Sequence, residues 1–151
     1  LVVRREVFYD AGEFPAGLNH AEDQLWLMRV HLSGWKIEGI DEVLLDYRTS
    51  PGGLSSNLEA MLAGWDILAN FARTELGECI EPVLKKARAE YLRYLARRAL
   101  RTHARTGQAL RYILRALALD WRMAFNTPWP TLPIFGAACF AACASLANPR
   151  K

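Results

Sequence analysis

Apolar side chains recur at three- and four-residue steps through the second half of this chain, from Pro82 onward. Leu84, Ala87, Tyr91, Leu95 and Ala99 form one stripe, with Lys85, Arg88, Arg93, Arg97 and Arg101 largely elsewhere, the pattern of a half-buried helix. Gly107 breaks the run. A second amphipathic segment then sets Leu110, Ile113, Leu114 and Leu117 inward and Arg111, Arg115 and Arg122 outward. Together they predict an antiparallel helical hairpin. Pro128, Pro130 and Pro133 end it. Residues 132–147 follow, sixteen positions without a charge. A membrane span needs about 20 apolar residues. Sixteen, with Gly136 and several alanines, read as a buried or membrane-surface helix instead.

Before Pro82 the periodicity is mixed. Residues 1–9 read as a strand running into a short helical turn from Arg4 to Phe8, and residues 10–15 carry turn chemistry that Gly17 extends. Residues 22–32 have helical spacing, and Gly34 suits the position just past a helix end. Two short strands are expected at residues 35–40 and 43–47, separated by Asp41-Glu42. Residues 49–53 form a loop. Ser55 or Ser56 then caps a helix from about Asn57 to Leu76, closed by Gly77. The expected fold class is α+β, mostly helical, with few strands. Residues 1–57 form one part, 58–81 a connecting helix, 82–127 the basic hairpin, and 128–151 a proline-rich turn with a short apolar helix. The chain starts at Leu1 on an apolar segment without a methionine, which reads as a cut end of a larger domain.

An apolar fraction of 52% and a charged fraction of 23% in 151 residues are those of an ordinary globular protein. The net charge of +3 hides an asymmetry. Residues 1–82 hold six basic and fourteen acidic side chains, whereas residues 83–151 hold thirteen basic ones against Glu90 and Asp120. The basic half suits an anionic surface. Its aromatics lie on the apolar stripe and not among the arginines, which argues against stacking on nucleic-acid bases. Cys139 and Cys143 stand four apart without a nearby histidine, too few ligands for zinc. With Cys79 they are expected to be buried free thiols in a reducing compartment.

The chemically informative stretch is residues 11–57. In order it contains Gly12 and Phe14, Ala21-Glu22-Asp23, Leu25-Trp26-Leu27-Met28-Arg29, Gly34-Trp35, Val43-Leu44-Leu45, Tyr47-Arg48 and Pro51-Gly52-Gly53-Leu54-Ser55. This series resembles the acceptor-side segment of family 2 glycosyltransferases of the GT-A type. Residues 3–8 fit the same family, so the resemblance covers roughly the first 57 residues. It implies that residues 1–57 are the C-terminal fragment of a GT-A α/β domain. The implied reaction is inverting transfer of a sugar from a nucleotide-diphosphate donor to a hydroxyl of a glycan or lipid-linked acceptor, in cell-surface polysaccharide synthesis. Asp23 takes the role of general base, and Glu22 could orient the acceptor.

Other residues have two readings each. Trp26, three positions after Asp23, could offer a stacking surface for a sugar ring. Arg29 and Arg48 could hold the diphosphate, since guanidinium grips phosphate oxygens in a fork, or each could pair internally with Glu22, Asp23 or Asp46. His20 is either a substrate contact or a plain loop histidine. Ser50 stands where the family often carries a histidine. A divalent metal, Mg or Mn, is implied for the complete enzyme, but its Asp-x-Asp motif occurs nowhere in this sequence, and no metal ligand is assigned here. The chain is therefore expected to supply the base and acceptor side while the nucleotide-sugar site lies mostly outside it.

The hairpin also resembles the helical tail of bacterial members, through residues 106–110 and 116–120. A basic surface beside an apolar helix suits the cytoplasmic face of an anionic membrane, which fits a cytoplasmic or peripheral location and a lipid-linked acceptor. The competing reading is a non-catalytic helical adaptor that binds a membrane surface or protein partner through residues 83–151.

Overall fold

The computed structural model describes residues 1–46, 53–102 and 107–147, with the backbone alone at Leu54, Leu146 and Ala147. Among the described residues all regular structure is helical. The chain divides into two compact units, residues 1–75 and 76–151.

The first unit is built on helix α1 (Val7–Ala11), helix α2 (Glu22–Leu32) and helix α3 (Leu58–Leu76), whose end reaches the boundary. The helical turn expected from Arg4 is present, since the N–H groups of Val7, Phe8 and Tyr9 donate to the carbonyls of Arg4, Arg5 and Glu6. Helix α2 has the expected bounds. It ends in a Schellman motif: Gly34 N–H donates to the His31 carbonyl and Trp35 N–H to the Val30 carbonyl, with Gly34 at φ +84°. Helix α3 is capped by Asn57, not by a serine. Asn57 Oδ1 accepts the Ala60 N–H at 3.0 Å, while Ser56 lies in a short 3-10 turn and donates its hydroxyl to the Gly53 carbonyl. Gly77, at φ +68°, follows the last residue of α3 as expected.

Among the described residues the expected strands do not form. Residues 1–4 and 35–40 carry the apolar, β-branched character of strands, yet neither they nor residues 43–46 pair with anything in a ladder. A strand leaves its N–H and C=O groups unsatisfied unless a neighbour runs beside it, and no such neighbour exists among the described residues. Ile40, Val43, Leu44 and Leu45 are consequently exposed. Residues 47–52 lie outside the described residues, so Tyr47, Arg48 and Ser50 receive no structural account.

The second unit comprises helix α4 (Glu81–Arg101), helix α5 (Gln108–Leu119), the single turn α6 (Met123–Asn126) and helix α7 (Pro128–Ala147). Helices α4 and α5 pack into the expected hairpin, and α7 packs on both. Of the expected stripes, Leu84, Leu95 and Ala99 of α4 and Ile113 of α5 are buried, with Leu92, Ala96, Ala109, Tyr112 and Ala116 beside them. Leu92, Leu95, Ala96 and Ala99 of α4 face Ala109, Tyr112, Ile113 and Ala116 of α5, whereas Leu114 is half exposed. Alanines let two helix axes approach closely, and Leu92, Leu95 and Ile113 are fully enclosed beside them.

Prolines open α7 where they were expected only to end the hairpin. Pro128 and Pro130 occupy its first turn, where a missing N–H leaves no intrahelical bond unmade. The helix is therefore 20 residues long, not sixteen. Its inner face carries Thr131, Ile134 and Ala138. Thr131 is buried, but its hydroxyl donates to the Thr127 carbonyl at 2.7 Å and accepts from Arg93 Nη1 at 3.1 Å, so its burial leaves nothing unpaired. All three cysteines are free, as expected, but not buried: Cys79 and Cys143 are exposed and Cys139 half-buried. The small outward face of α7 and the turn before α4 leave these thiols uncovered.

Candidate active site

The start of α2 is held from two sides. From one side comes the core of the first unit, where Trp26 packs with Val7, Ala11 and Val30. The Trp26 indole stacks on Phe14 at 4.7 Å and meets Phe8 at 5.0 Å between ring centroids. Its Nε1–H donates to the Gly12 carbonyl at 2.7 Å, which fixes the residue that turns the chain out of α1 at φ +74°. Trp35 adds a tie from the far end of α2, donating its indole N–H to Asp10 Oδ2 at 2.9 Å. These contacts make residues 7–35 one packed piece.

The second hold is a backbone contact. A Cβ built on Gly64 of α3 would lie 2.6 Å from the His20 carbonyl oxygen and 2.8 Å from the His20 Cβ. The loop that delivers the chain into α2 therefore rests directly on a glycine of α3. Immediately after it, Ala21 adopts a left-handed conformation at φ 61°, a conformation a non-glycine residue takes only when its surroundings enforce it. Ala21 has no side-chain oxygen to cap the helix. The first intrahelical bond runs from Leu25 N–H to the Ala21 carbonyl, and Asp23 Oδ1 accepts the Gln24 N–H at 2.8 Å.

Glu22 and Asp23 occupy this first turn, where N–H groups lacking helical partners and the positive end of the helix attract carboxylates. Asp23 is exposed and Glu22 half-buried. His20 is half-buried in the loop beside them. The structure thus groups His20, Glu22 and Asp23 at one place.

Two other candidates are elsewhere. Trp26 has 0% of its surface exposed, so no face of its indole is open to a sugar ring. It is a core side chain, and the stacking role expected for it is withdrawn. Arg29 lies over the Phe71 ring, 5.5 Å from its centroid, a cation–π contact from α2 to α3. The carboxylate pair considered for Arg29 is not formed among the described residues. A cavity of about 490 Å³ opens in this unit, lined by Val3, Val7, Leu27, Trp35 and Ile37 among others. It adjoins the buried side of α2 and includes neither acidic residue.

Among the described residues no three His, Cys, Asp or Glu side chains converge so as to hold a metal. With no Asp-x-Asp in the sequence, these residues do not fit the divalent ion that the resemblance implies. Comparison with protein-family models, curated proteins and solved structures gives no match to this chain.

Gly64 was not singled out from the sequence, although a glycine inside a helical pattern calls for a packing reason. Its replacement by alanine is expected to destabilise the protein. Alanine improves helix propensity by about 1 kcal/mol, but overpacking costs about 1–3 kcal/mol, and the upper part of that range, about 2–3 kcal/mol, applies where the neighbour is backbone. The predicted net loss is about 1–2 kcal/mol by urea denaturation, the difference of those two effects. A stabilised variant would show that the loop does not rest on α3.

Proposed function

We propose that this chain is the acceptor-side part of an inverting glycosyltransferase, with Asp23 as the general base. The support is the ordered series of residues from Gly12 to Ser55 together with one structural observation. Asp23 is solvent-exposed in the first turn of a helix whose inner face is locked into a core. A base must reach an incoming hydroxyl, and a rigid mount keeps its carboxylate within the few tenths of an ångström that proton transfer demands.

In the proposed reaction the acceptor oxygen attacks the anomeric carbon of a nucleotide-diphosphate sugar. The new carbon–oxygen bond forms as the bond to the diphosphate breaks on the opposite face. The hydroxyl proton passes to Asp23, and the nucleotide diphosphate leaves with the electron pair. Glu22, half-buried beside it, orients the acceptor through its other hydroxyls. Arg48 remains a candidate for the diphosphate, on the resemblance alone. Donor binding is assigned to residues outside this chain, and no step is routed through a metal.

The test is transfer from nucleotide sugars by the native-length protein, wild type against Asp23→Asn. Retained donor binding with lost turnover is expected. A native-length protein that binds no nucleotide-diphosphate sugar, or an Asp23→Asn variant that turns over normally, rejects the proposal.

A further inference from the structure

Helix α7 has no polar face. Its inner side is committed to the core of the second unit through Thr131, Ile134 and Ala138. Its outer side presents Trp129, 85% exposed, Leu132, and Phe140, 77% exposed. With 100° per residue these three lie within about 80° of one another around the helix. An ordinary surface helix turns charged or amide side chains to water on that side, and α7 carries no charge along its 20 residues. The preceding turn adds Trp121, 64% exposed, and Phe125, 72% exposed, in edge-to-face contact at 5.8 Å. Five large apolar side chains bared within 20 residues are not the scattered exceptions every surface has.

The charge beside this patch is of one sign. Asp120 is the sole acidic residue after Glu90, against ten Lys and Arg. Arg93 is drawn onto the start of α7, its Nη1 donating to Thr127 Oγ1 at 2.6 Å and to Thr131 Oγ1 at 3.1 Å. Arg122 stands exposed between Trp121 and Phe125 in the chain. Exposed Trp121 and Phe125 on either side of Arg122 correct the expectation that the aromatics keep to the apolar stripe away from the arginines. Such rings next to guanidinium groups match the depth profile of a bilayer interface, with rings at headgroup level and cations at the phosphates. A second copy of the chain would bring two strongly basic units together. A span is not available either: no helix among the described residues is long and apolar enough to cross a membrane, and leaving the core would strip Ile134 and Ala138 of their contacts.

We propose that residues 121–140 are a docking face for an anionic lipid surface, with α7 lying in the interface plane and its outer side at the boundary between headgroups and acyl chains. This does not depend on the glycosyltransferase reading.

The test uses the 151-residue chain with vesicles of phosphatidylcholine alone and of phosphatidylcholine mixed with phosphatidylglycerol. Sedimentation with the anionic vesicles is expected, weakening as salt rises, with tryptophan emission moving to shorter wavelength as Trp121 and Trp129 leave water. The double variant Trp129→Ala, Phe140→Ala removes only exposed side chains and should keep its thermal transition, yet lose vesicle affinity by about tenfold or more. Arg122→Gln should lose about fivefold on anionic vesicles and nothing on neutral ones. No sedimentation, or equal affinity of the double variant, overturns the proposal. So does self-association in lipid-free buffer that the double variant abolishes, which would make the face a contact between copies.

Discussion

Replacing Trp26 with alanine is expected to lower the stability of the first unit by about 3–5 kcal/mol, the range for removing a large aromatic from a filled core. The side chain is fully enclosed, stacked on Phe14, in tilted contact with Phe8 and hydrogen-bonded to Gly12. Removing it empties the space that joins α1 to α2 and frees the Gly12 carbonyl. Phenylalanine at the same position keeps a ring for Phe14 to stack on, loses the indole N–H and part of the volume, and should cost about 1–2 kcal/mol. Denaturation followed by circular dichroism measures both, with the loss confined to one transition if the two units unfold separately. The pair of variants also decides what Trp26 is for. If alanine lowers stability by less than about 1 kcal/mol, far below the core range, the indole is not enclosed and the sugar-stacking role returns.

Much of the helical framework was legible because it rests on local rules. Gly34, Gly77 and Gly107 all adopt positive φ at helix boundaries, as glycines placed after or before periodic segments should. The bounds of α2 and the hairpin follow from the same punctuation. Which face turns inward was less legible. Trp26 is close to Asp23 on a helical wheel, but Leu25 and Val30 also flank it, and the three are buried together while Asp23 stays at the edge. In the hairpin the expected Leu84, Leu95, Ala99 and Ile113 are buried, but the expected Leu114 is exposed while Ala96, Ala109 and Ala116 are enclosed, because close helix approach favours small side chains. Hydropathy scores transfer from water, and interhelical distance is a matter of volume. The missing strands have a different cause. β-branched segments state a preference that only a partner can realise. Gly64 escaped notice because its meaning lies in a residue 44 positions away, His20, whose approach no local pattern encodes.

The proposed site was legible only through the order of its residues, and the measurement that tests it is on Asp23. Asparagine at this position is nearly isosteric and keeps an Oδ1 to accept the Gln24 N–H, so the start of α2 should persist unchanged. What it removes is the capacity to take a proton. General-base assistance contributes about 10²–10⁴ in rate, and kcat should fall by that factor, equivalent to about 3–5 kcal/mol of barrier, while donor affinity stays where it was. Glu22→Gln should behave differently. An orienting carboxylate acts on acceptor binding and alignment, so the acceptor KM should rise with a smaller loss in kcat. If the two variants change places, Glu22 is the base and the half-buried carboxylate reaches the hydroxyl. If both leave kcat and KM untouched, the acidic pair is only a helix start, and the ordered series around it has another explanation.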